Sequence, residues 1–305
     1  MSLRVSGVAA WALLFVLAAT PLAGAQGRSS KCFGAASRDP DRPCTNKGLN
    51  FVAIPSPSAA VLEPSAPCAP IPGSVPDVCT FGSAGARSGV ALMGDSHSTH
   101  WRAALDVVAR GRRWRGYSIN RNNCPFTFAR TPGKGGCAGW AQRVVRWLRR
   151  HPEVRTVVVS ANSGSGVIPR RGRTRGETKV DGYIRAWKAI PGTVRNIHVI
   201  RDVPHNRVNT NDCVAAAVAR HRNPAVRCAR PRGAALRKDL AAVAAEETNS
   251  TRVKLIDLSS YMCDEKQCFP VVGGALVIKD IGHLTRTFST TMGPPLGRAI
   301  RRLED

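Results

Sequence analysis

From about residue 89 onward, the hydrophobic and polar positions of the chain follow two alternating patterns. Short apolar runs are typical of strands covered on both faces, and they occur at residues 90–93, 114–119, 154–160, 194–203 and 253–258. Apolar residues three or four positions apart are typical of amphipathic helices, and they occur at residues 99–110, 138–150, 178–190, 234–248 and 294–303. Strands that alternate with helices predict an α/β fold, a three-layer α/β/α sandwich with a mainly parallel central sheet.

Residues 26–88 follow neither pattern. They are rich in Pro, Ser, Ala and Gly, and they contain four of the ten cysteines. Proline has a fixed φ and no backbone N–H, so a proline-rich stretch forms neither a regular helix nor a central strand. We predict that residues 26–88 form an extended, disulfide-stapled segment packed on a main domain of residues 89–305.

The first 25 residues have the composition of a secretory signal peptide. A basic residue at Arg4 precedes an apolar run at residues 8–19, and small residues follow at Ala23 and Ala25. The apolar run is shorter than the ~20 residues that a membrane-spanning helix needs. We predict that residues 1–25 are removed and that the protein is secreted or extracytoplasmic, in the cell envelope; an uncleaved N-terminal anchor is the alternative.

The cysteine count agrees with export, because an even number of cysteines in an oxidising compartment is typical of disulfides. Pairing neighbours along the chain would close five short loops, each stabilising the fold by about 2–3 kcal/mol, although the sequence does not fix the connectivity. The sequence contains no Cys-x-x-Cys pair of the kind that binds zinc. We therefore expect no metal and no cofactor. The candidate cysteines are Cys32, Cys44, Cys68, Cys79, Cys124, Cys137, Cys213, Cys228, Cys263 and Cys268.

The formal net charge of +25 indicates an anionic partner or a strongly solvated surface. Nucleic acid is one class of anionic partner. However, the basic residues are dispersed along the chain with only short clusters, they form no aromatic-and-basic stacking pattern, and export argues against a genomic role. We therefore expect no nucleic acid, and the sequence leaves an anionic cell envelope and a plain solvated surface as equal alternatives.

Two short motifs carry candidate chemistry. Gly-Asp-Ser-His at residues 94–97 follows the first predicted strand and precedes a helix, a position where ligands bind in parallel sheets and where backbone N–H groups stabilise an oxyanion. A serine nucleophile needs a base, and an aspartate and a histidine at Asp280 and His283 have the spacing of an oriented imidazole. A simple turn and helix cap at Ser96 is the alternative.

These motifs resemble those of the SGNH (GDSL-like) hydrolase superfamily, which has a flavodoxin-like α/β/α fold. Four stretches are similar to the extracytoplasmic SGNH domains of membrane acyltransferases that O-acylate envelope polysaccharide or peptidoglycan. These stretches are RPCTNKGL with the following PSP, GDSHSTHW, NNCPF, and CDEKQCFPVVGGALVIKDIGHLT, and together they span about residues 32–290. The resemblance implies that Ser96 is the nucleophile, His283 the base and Asp280 its orienting partner.

The resemblance also implies an oxyanion hole with three donors. They are the N–H of Ser96, a glycine after the second strand and an asparagine after the third. Gly116 is the candidate glycine, with Gly135 and Gly136 as rivals. Asn162 is the candidate asparagine, although the family's GxN pattern around it is absent.

The sequence therefore predicts an exported serine acyltransferase that moves an acetyl or other acyl group, through an acyl-Ser96 intermediate, to carbohydrate hydroxyls of the envelope. Envelope polysaccharide or peptidoglycan would be the acceptor, and a separate integral-membrane protein would supply the acyl group. A carbohydrate O-acetylesterase with the same Ser-His-Asp site is the first alternative, since it differs only in admitting water. A non-catalytic, cationic envelope-binding module is the second.

Overall fold

The computed structural model describes residues 31–42, 44–133 and 136–305, so the predicted signal peptide lies outside the described residues. The strands are β1 (Ala69–Pro70), β2 (Cys79–Gly82), β3 (Ser88–Gly94), β4 (Trp114–Asn120), β5 (Val154–Ser160), β6 (Asn196–Ile200), β7 (Arg230–Pro231), β8 (Val253–Ile256), β9 (Gln267–Cys268), β10 (Val271–Val272) and β11 (Ala275–Leu276). The α-helices are α1 (Pro57–Leu62), α2 (Ser96–Thr99), α3 (Arg102–Gly111), α4 (Cys137–Arg150), α5 (Arg175–Lys188), α6 (Thr210–Ala219), α7 (Pro224–Arg227), α8 (Arg232–Ala235), α9 (Leu240–Glu247), α10 (Arg286–Thr291) and α11 (Gly293–Glu304). Single turns of 3-10 helix lie at Gly34–Arg38, Lys47–Leu49 and Ser259–Tyr261.

The central sheet of the described chain has seven strands in the order β1-β2-β4-β3-β5-β6-β8. The five strands from β4 to β8 in this order are parallel, and β1 and β2 extend the β4 edge in antiparallel fashion. The first parallel strand, β3, lies between β4 and β5, so the connection from β3 to β4 runs one way along the sheet and the connections after β4 run the other way. This reversal opens a crevice at the carboxyl end of β3, which is where the Gly-Asp-Ser-His motif lies.

Helices cover both faces of this sheet, because successive strand residues point to opposite sides. Val90 and Leu92 of β3 belong to a core with α3, α10 and α11, and Ala91 and Met93 belong to a core with α4, α5 and α9. All four side chains are fully buried. The predicted three-layer α/β/α sandwich with a mainly parallel sheet is confirmed.

One predicted helix is interrupted. The pattern at residues 234–248 indicates a continuous helix, but α8 ends at Ala235 and α9 begins at Leu240. Between them, the buried carboxylate of Asp239 caps α9 through the N–H of Ala241 and also accepts the N–H of Asp202 at 2.9 Å. Asp202 lies 37 residues earlier in the chain, so the local pattern contains no sign of this contact.

The described part of residues 26–88 contributes to the sheet. This part contains α1, and β2 pairs with β4. The predicted boundary after residue 88 therefore falls inside one sheet, directly after the first residue of β3.

The ten cysteines form five disulfides between neighbours along the chain. The pairs are Cys32–Cys44, Cys68–Cys79, Cys124–Cys137, Cys213–Cys228 and Cys263–Cys268. This is the pairing that closes five short loops. Among the described helices, none combines the length and the apolar character needed to span a membrane.

Candidate active site

Ser96 lies where β3 meets the first helix of the domain. Gly94 ends β3 with φ +146°, and a Cβ at this position would lie 2.1 Å from the carbonyl oxygen of Ser160 on β5, so only glycine permits this approach. Asp95 caps α2, because its carboxylate accepts the N–H of His97 at 2.9 Å. Ser96 is the first residue of α2, and its N–H has no acceptor within the helix.

The structure brings the three predicted catalytic side chains together. Nε2 of His283 lies 2.8 Å from Oγ of Ser96, and Nδ1 of His283 lies 2.7 Å from Oδ2 of Asp280. Oδ1 of Asp280 accepts the N–H groups of Gly282 and His283, which fixes the carboxylate beside the ring. Ser96, His283 and Asp280 thus form one hydrogen-bonded chain across 187 residues of sequence.

The negative charge of Asp280 is stabilised by its hydrogen bonds in this series of side chains. Burial raises the pKa of Asp280, but hydrogen bonds from the His283 ring and from the N–H groups of Gly282 and His283 outweigh burial and hold the pKa well below its ordinary value. The ionised carboxylate accepts Nδ1–H of His283. Nε2 is then left as the acceptor that faces the serine hydroxyl, which is the tautomer a general base requires.

A second histidine–aspartate cluster lies directly beneath the first, and the sequence analysis missed it. Asp202 accepts from Nδ1 of His97 at 2.6 Å and from Nε2 of His205 at 3.1 Å, and all three side chains are buried. Their ligand atoms lie within 4.8 Å of one another, as in a metal site, but the hydrogen bonds already account for the arrangement. His97 and Asp202 are 105 residues apart, so no spacing in the sequence reveals the cluster.

The cluster also sets the charge of its members. Burial raises the pKa of Asp202, but hydrogen bonds from His205 and His97 outweigh it, and the pKa lies far below its ordinary value. Burial lowers the pKa of His97, but the hydrogen bond and charge of Asp202, together with the charges of Asp95 and Asp280, raise it overall. The folded protein therefore favours the ion-paired form of His97 and Asp202.

The two histidines of the Gly-Asp-Ser-His-Ser-Thr-His stretch support the loop that carries His283. The rings of His97 and His283 lie 4.8 Å apart between centroids. Burial holds the pKa of His100 well below its ordinary value, so its ring is neutral, and Nδ1 accepts the N–H of Leu284 at 3.3 Å. Both histidines are placed by the helix that begins at Ser96.

Asn162 lies at the carboxyl end of β5, on the same rim as Ser96. Its backbone N–H donates to both oxygens of Asp95, at 3.2 and 3.0 Å, and its own Oδ1 accepts the N–H of Gly164 at 2.8 Å. The buried ammonium of Lys179 donates to the carbonyl of Ser163 at 2.9 Å. Hydrogen bonds with the buried side chains of Asp95 and Lys179 thus hold the loop after β5.

Gly116 does not belong to the site, and the prediction that it lines the oxyanion hole is wrong. Gly116 pairs with Val90 in the middle of β4, four residues before the strand ends at Asn120. A Cβ at Gly116 would lie 2.4 Å from the ring of Phe81, so the glycine serves the packing of that ring. Of the two rival glycines, Gly136 precedes α4 and Gly135 lies outside the described residues.

A pocket of about 300 Å³ surrounds Ser96 and His283. Asn122, in the loop after β4, lines the same pocket as Ser96 and is a donor candidate that the sequence did not indicate. Asn122 follows the end of β4, the second parallel strand along the chain, by two residues. This position was the feature of the sequence that could have indicated a donor. Asn162 is not one of the described residues that line this pocket.

One wall of the pocket comes from the proline-rich segment, at residues 64–66. Nε of Arg102 donates to the carbonyl of Ala66 at 2.8 Å, and Nζ of Lys279 donates to the carbonyl of Glu63 at 3.0 Å. The wall is therefore fixed at both ends by helix α3 and by the loop that carries Asp280.

Comparison with known proteins identifies the family of the chain and supports its fold. A family model described as "SGNH domain (fused to AT3 domains)" matches residues 64–298. The solved periplasmic domain of a lipopolysaccharide acetyltransferase from Salmonella ser. Paratyphi A is similar over 70% of this chain and 83% of its own, with a TM-score of 0.55 and 16% identity. This likeness supports the fold.

A second solved structure, the thermostable carboxylesterase EstE1 from a metagenomic library, covers 81% of this chain and 91% of its own. Its TM-score of 0.34 and identity of 13% are too low to indicate a shared fold. No curated protein matches the chain. Because the family model spans most of the chain, the chain belongs to the family of SGNH domains whose members are described as fused to AT3 domains.

Proposed function

We propose that this chain is an exported serine O-acyltransferase, which holds an acyl group on Ser96 and transfers it to a hydroxyl of an envelope carbohydrate. The observation that carries the proposal is the contact of 2.8 Å between Nε2 of His283 and Oγ of Ser96, with Asp280 on the far side of the ring. A hydroxyl becomes a nucleophile when such a base removes its proton.

The reaction has two halves. In the first, Oγ of Ser96 attacks the carbonyl of an acyl donor while His283 takes the hydroxyl proton, and His283 then returns that proton to the leaving group. In the second, a sugar hydroxyl gives its proton to His283 and attacks the acyl-serine. The sugar ester leaves, and the proton returns to Ser96. Asp280 stays ionised throughout and stabilises the imidazolium.

Charge on the tetrahedral intermediate needs donors near Ser96. The N–H of Ser96 is the first donor, as the resemblance implied. We propose Asn122 as the second donor, in place of Gly116, because it lines the pocket after β4. The side-chain amide of Asn162 stays the proposal for the third.

The acyl donor is proposed to be a separate integral-membrane protein. The AT3 fusion in the family supports a membrane partner, and the five disulfides support an oxidising, extracytoplasmic compartment. The Salmonella neighbour is itself a periplasmic acetyltransferase domain, which agrees with this arrangement.

Ester hydrolysis is the second candidate, and one observation favours it. The side chains of His283 and Asp280 are 32% and 43% exposed, so water reaches the base in the free protein. A bound sugar has to displace this water for transfer to dominate. A carbohydrate O-acetylesterase would use the same three residues.

The oxidised, mature protein offered 4-nitrophenyl acetate tests both candidates. Release of 4-nitrophenol that Ser96→Ala abolishes supports a serine enzyme, and acetylated sugar formed with an oligosaccharide acceptor selects transfer over hydrolysis. A Ser98→Ala variant, which removes a neighbouring buried hydroxyl, is the matched control. Equal activity in the wild-type and Ser96→Ala proteins would contradict the proposal, and no ester cleavage by the wild-type protein would favour a binding module.

A further inference from the structure

Basic side chains line the Ser96 pocket and a second pocket on the other side of the same loop. Lys279 and Arg286 line the pocket that contains Ser96. Arg121 and Arg143 line the second pocket, which also has a volume of about 300 Å³. Consecutive residues at the end of β4 line the two pockets, since Asn120 and Arg121 line the second pocket and Asn122 lines the first.

These cations are poorly neutralised by the protein. In the described parts of the chain, no carboxylate oxygen lies within 4.0 Å of a side-chain nitrogen of Lys279, Arg121 or Arg143. The ammonium of Lys279 donates to the carbonyl of Glu63, which leaves two of its three donors for a ligand. Arg286 has one carboxylate neighbour, Glu63, at 4.0 Å.

The acidic side chains near the two pockets are few, and two of them are hydrogen-bonded within the protein. The carboxylate of Glu63 is turned into the protein, where it is 7% exposed and accepts the N–H of Arg286 and the hydroxyl of Thr287, each at 2.6 Å. Asp280 is paired with His283. Asp77 is the acidic residue that lines the second pocket. The walls that face a ligand therefore carry an excess of positive charge.

We propose that Lys279, Arg286, Arg121 and Arg143 form a basic groove that binds an acidic carbohydrate acceptor. One anionic group of the acceptor, a carboxylate or a phosphate, lies between Lys279 and Arg286 beside the reacting hydroxyl. The next anionic group along the polymer lies at Arg121 and Arg143. This inference rests on the proposed function, since it names the class of acceptor for the Ser96 site.

Three arguments favour an acidic polymer. A guanidinium in a partly closed pocket binds carboxylate or phosphate through paired, charge-assisted hydrogen bonds. Two basic pockets on either side of one short loop suit a repeated charge, which a polymer has and a small acyl donor lacks. The formal charge of +25 attracts a polyanion to the whole molecule and speeds encounter at low salt.

A pair of matched acceptors tests the inference. Trigalacturonic acid and its fully methyl-esterified form share one sugar skeleton and differ in charge. With 4-nitrophenyl acetate as a neutral acyl donor, we expect kcat/KM for transfer to the acid to exceed that for the ester by about tenfold or more, and high salt to reduce this ratio. A poly(glycerol phosphate) oligomer that outcompetes the acid would assign the groove to phosphate.

Substitutions locate the effect. Arg286→Gln and Arg143→Gln should each lower the acid-to-ester ratio, by about tenfold for one charge-assisted contact. Arg149→Gln is the matched control, because Arg149 is an exposed arginine near the carboxyl end of the same helix as Arg143 and lines neither pocket. The control should leave the ratio unchanged.

Failure of this inference is distinct from failure of the proposed function. Equal kcat/KM for the two trimers, or an unchanged ratio in both groove variants, would overturn the basic groove and leave acyl transfer intact. If no acceptor is acylated, calorimetry with the Ser96→Ala protein still decides: tighter binding of the acid than of the ester supports the groove, and equal Kd values overturn it.

Discussion

The ring of His97 fills the space into which a side chain at residue 282 would project. A Cβ at Gly282 would lie 2.9 Å from Cε1 of His97. The loop that carries the base therefore rests directly on the residue that follows the nucleophile. The positions of Ser96 and His283 are coupled by this contact, in addition to their own hydrogen bond.

Gly282→Ala should separate the base from the nucleophile. The added methyl group pushes the loop away from His97, and a displacement of about 1 Å at a catalytic group lowers rates by about 10²-fold. We expect kcat for 4-nitrophenyl acetate to fall by about that factor, with a melting temperature close to that of the wild type. Gly233→Ala, where a Cβ meets no atom within 4 Å, is the control. Full activity in Gly282→Ala would contradict the coupling.

Asp280→Asn should lower activity without unfolding the protein. An amide at this position can donate to Nδ1 of His283, and the ring then presents N–H rather than a lone pair to Ser96. We expect kcat to fall by about 10³- to 10⁴-fold, while circular dichroism and the melting temperature stay near wild-type values. A loss of less than about tenfold would show that the carboxylate does not set the tautomer.

His97→Gln should change how stability depends on pH. Because the pKa of His97 is raised in the folded protein, its contribution is complete below the unfolded pKa of about 6.5 and is lost as the pH rises through the folded pKa. The free energy of unfolding lost in His97→Gln should thus be larger at about pH 5.5 than at about pH 9. Urea denaturation measures both differences.

His100 acts in the opposite direction, because its pKa is lowered in the folded protein and its contribution grows as the pH rises. His100 is present in both proteins, and the charge of His97 is one of the causes that lower its pKa, so the difference between the proteins reports His97 together with its effect on His100. Equal losses of unfolding free energy at the two pH values would contradict a charged His97–Asp202 pair.

Asn122→Ala should weaken stabilisation of the oxyanion. The loss of one donor from an oxyanion hole lowers kcat by about 10²- to 10³-fold. We expect that fall with little change in KM, because the donor matters most in the transition state. An unchanged kcat would remove Asn122 from the proposed mechanism and leave Ser96 and Asn162 as the donors.

Sequence patterns predicted the parts of this molecule that depend on neighbours in the chain. The apolar run that became β3, the turn at Ser96 and the Asp280–His283 spacing are all local, and the structure contains each of them. The five short-range disulfides are local as well, although the sequence did not fix their connectivity. Such features are encoded within about a dozen residues, so periodicity and motif spacing reveal them.

The features that sequence did not predict depend on contacts between distant residues. The His97–Asp202 pair, the break before α9 and the true surroundings of Gly116 are each set by a partner far along the chain. The glycine at residue 116 is needed for Phe81 on the neighbouring strand, and one sequence does not distinguish packing from chemistry. Asn122 was recognised only as part of a family motif, because its approach to Ser96 depends on how β4 lies beside β3.

Mass spectrometry of the protein after reaction with a fluorophosphonate tests the central claim most directly. We expect one added phosphonyl group on the peptide that contains Ser96 in the wild-type protein, and no such group in Ser96→Ala. His283→Ala should slow the labelling by at least about 10²-fold. Labelling at another residue, or equal labelling rates in the wild-type and His283→Ala proteins, would contradict the claim that His283 activates Ser96.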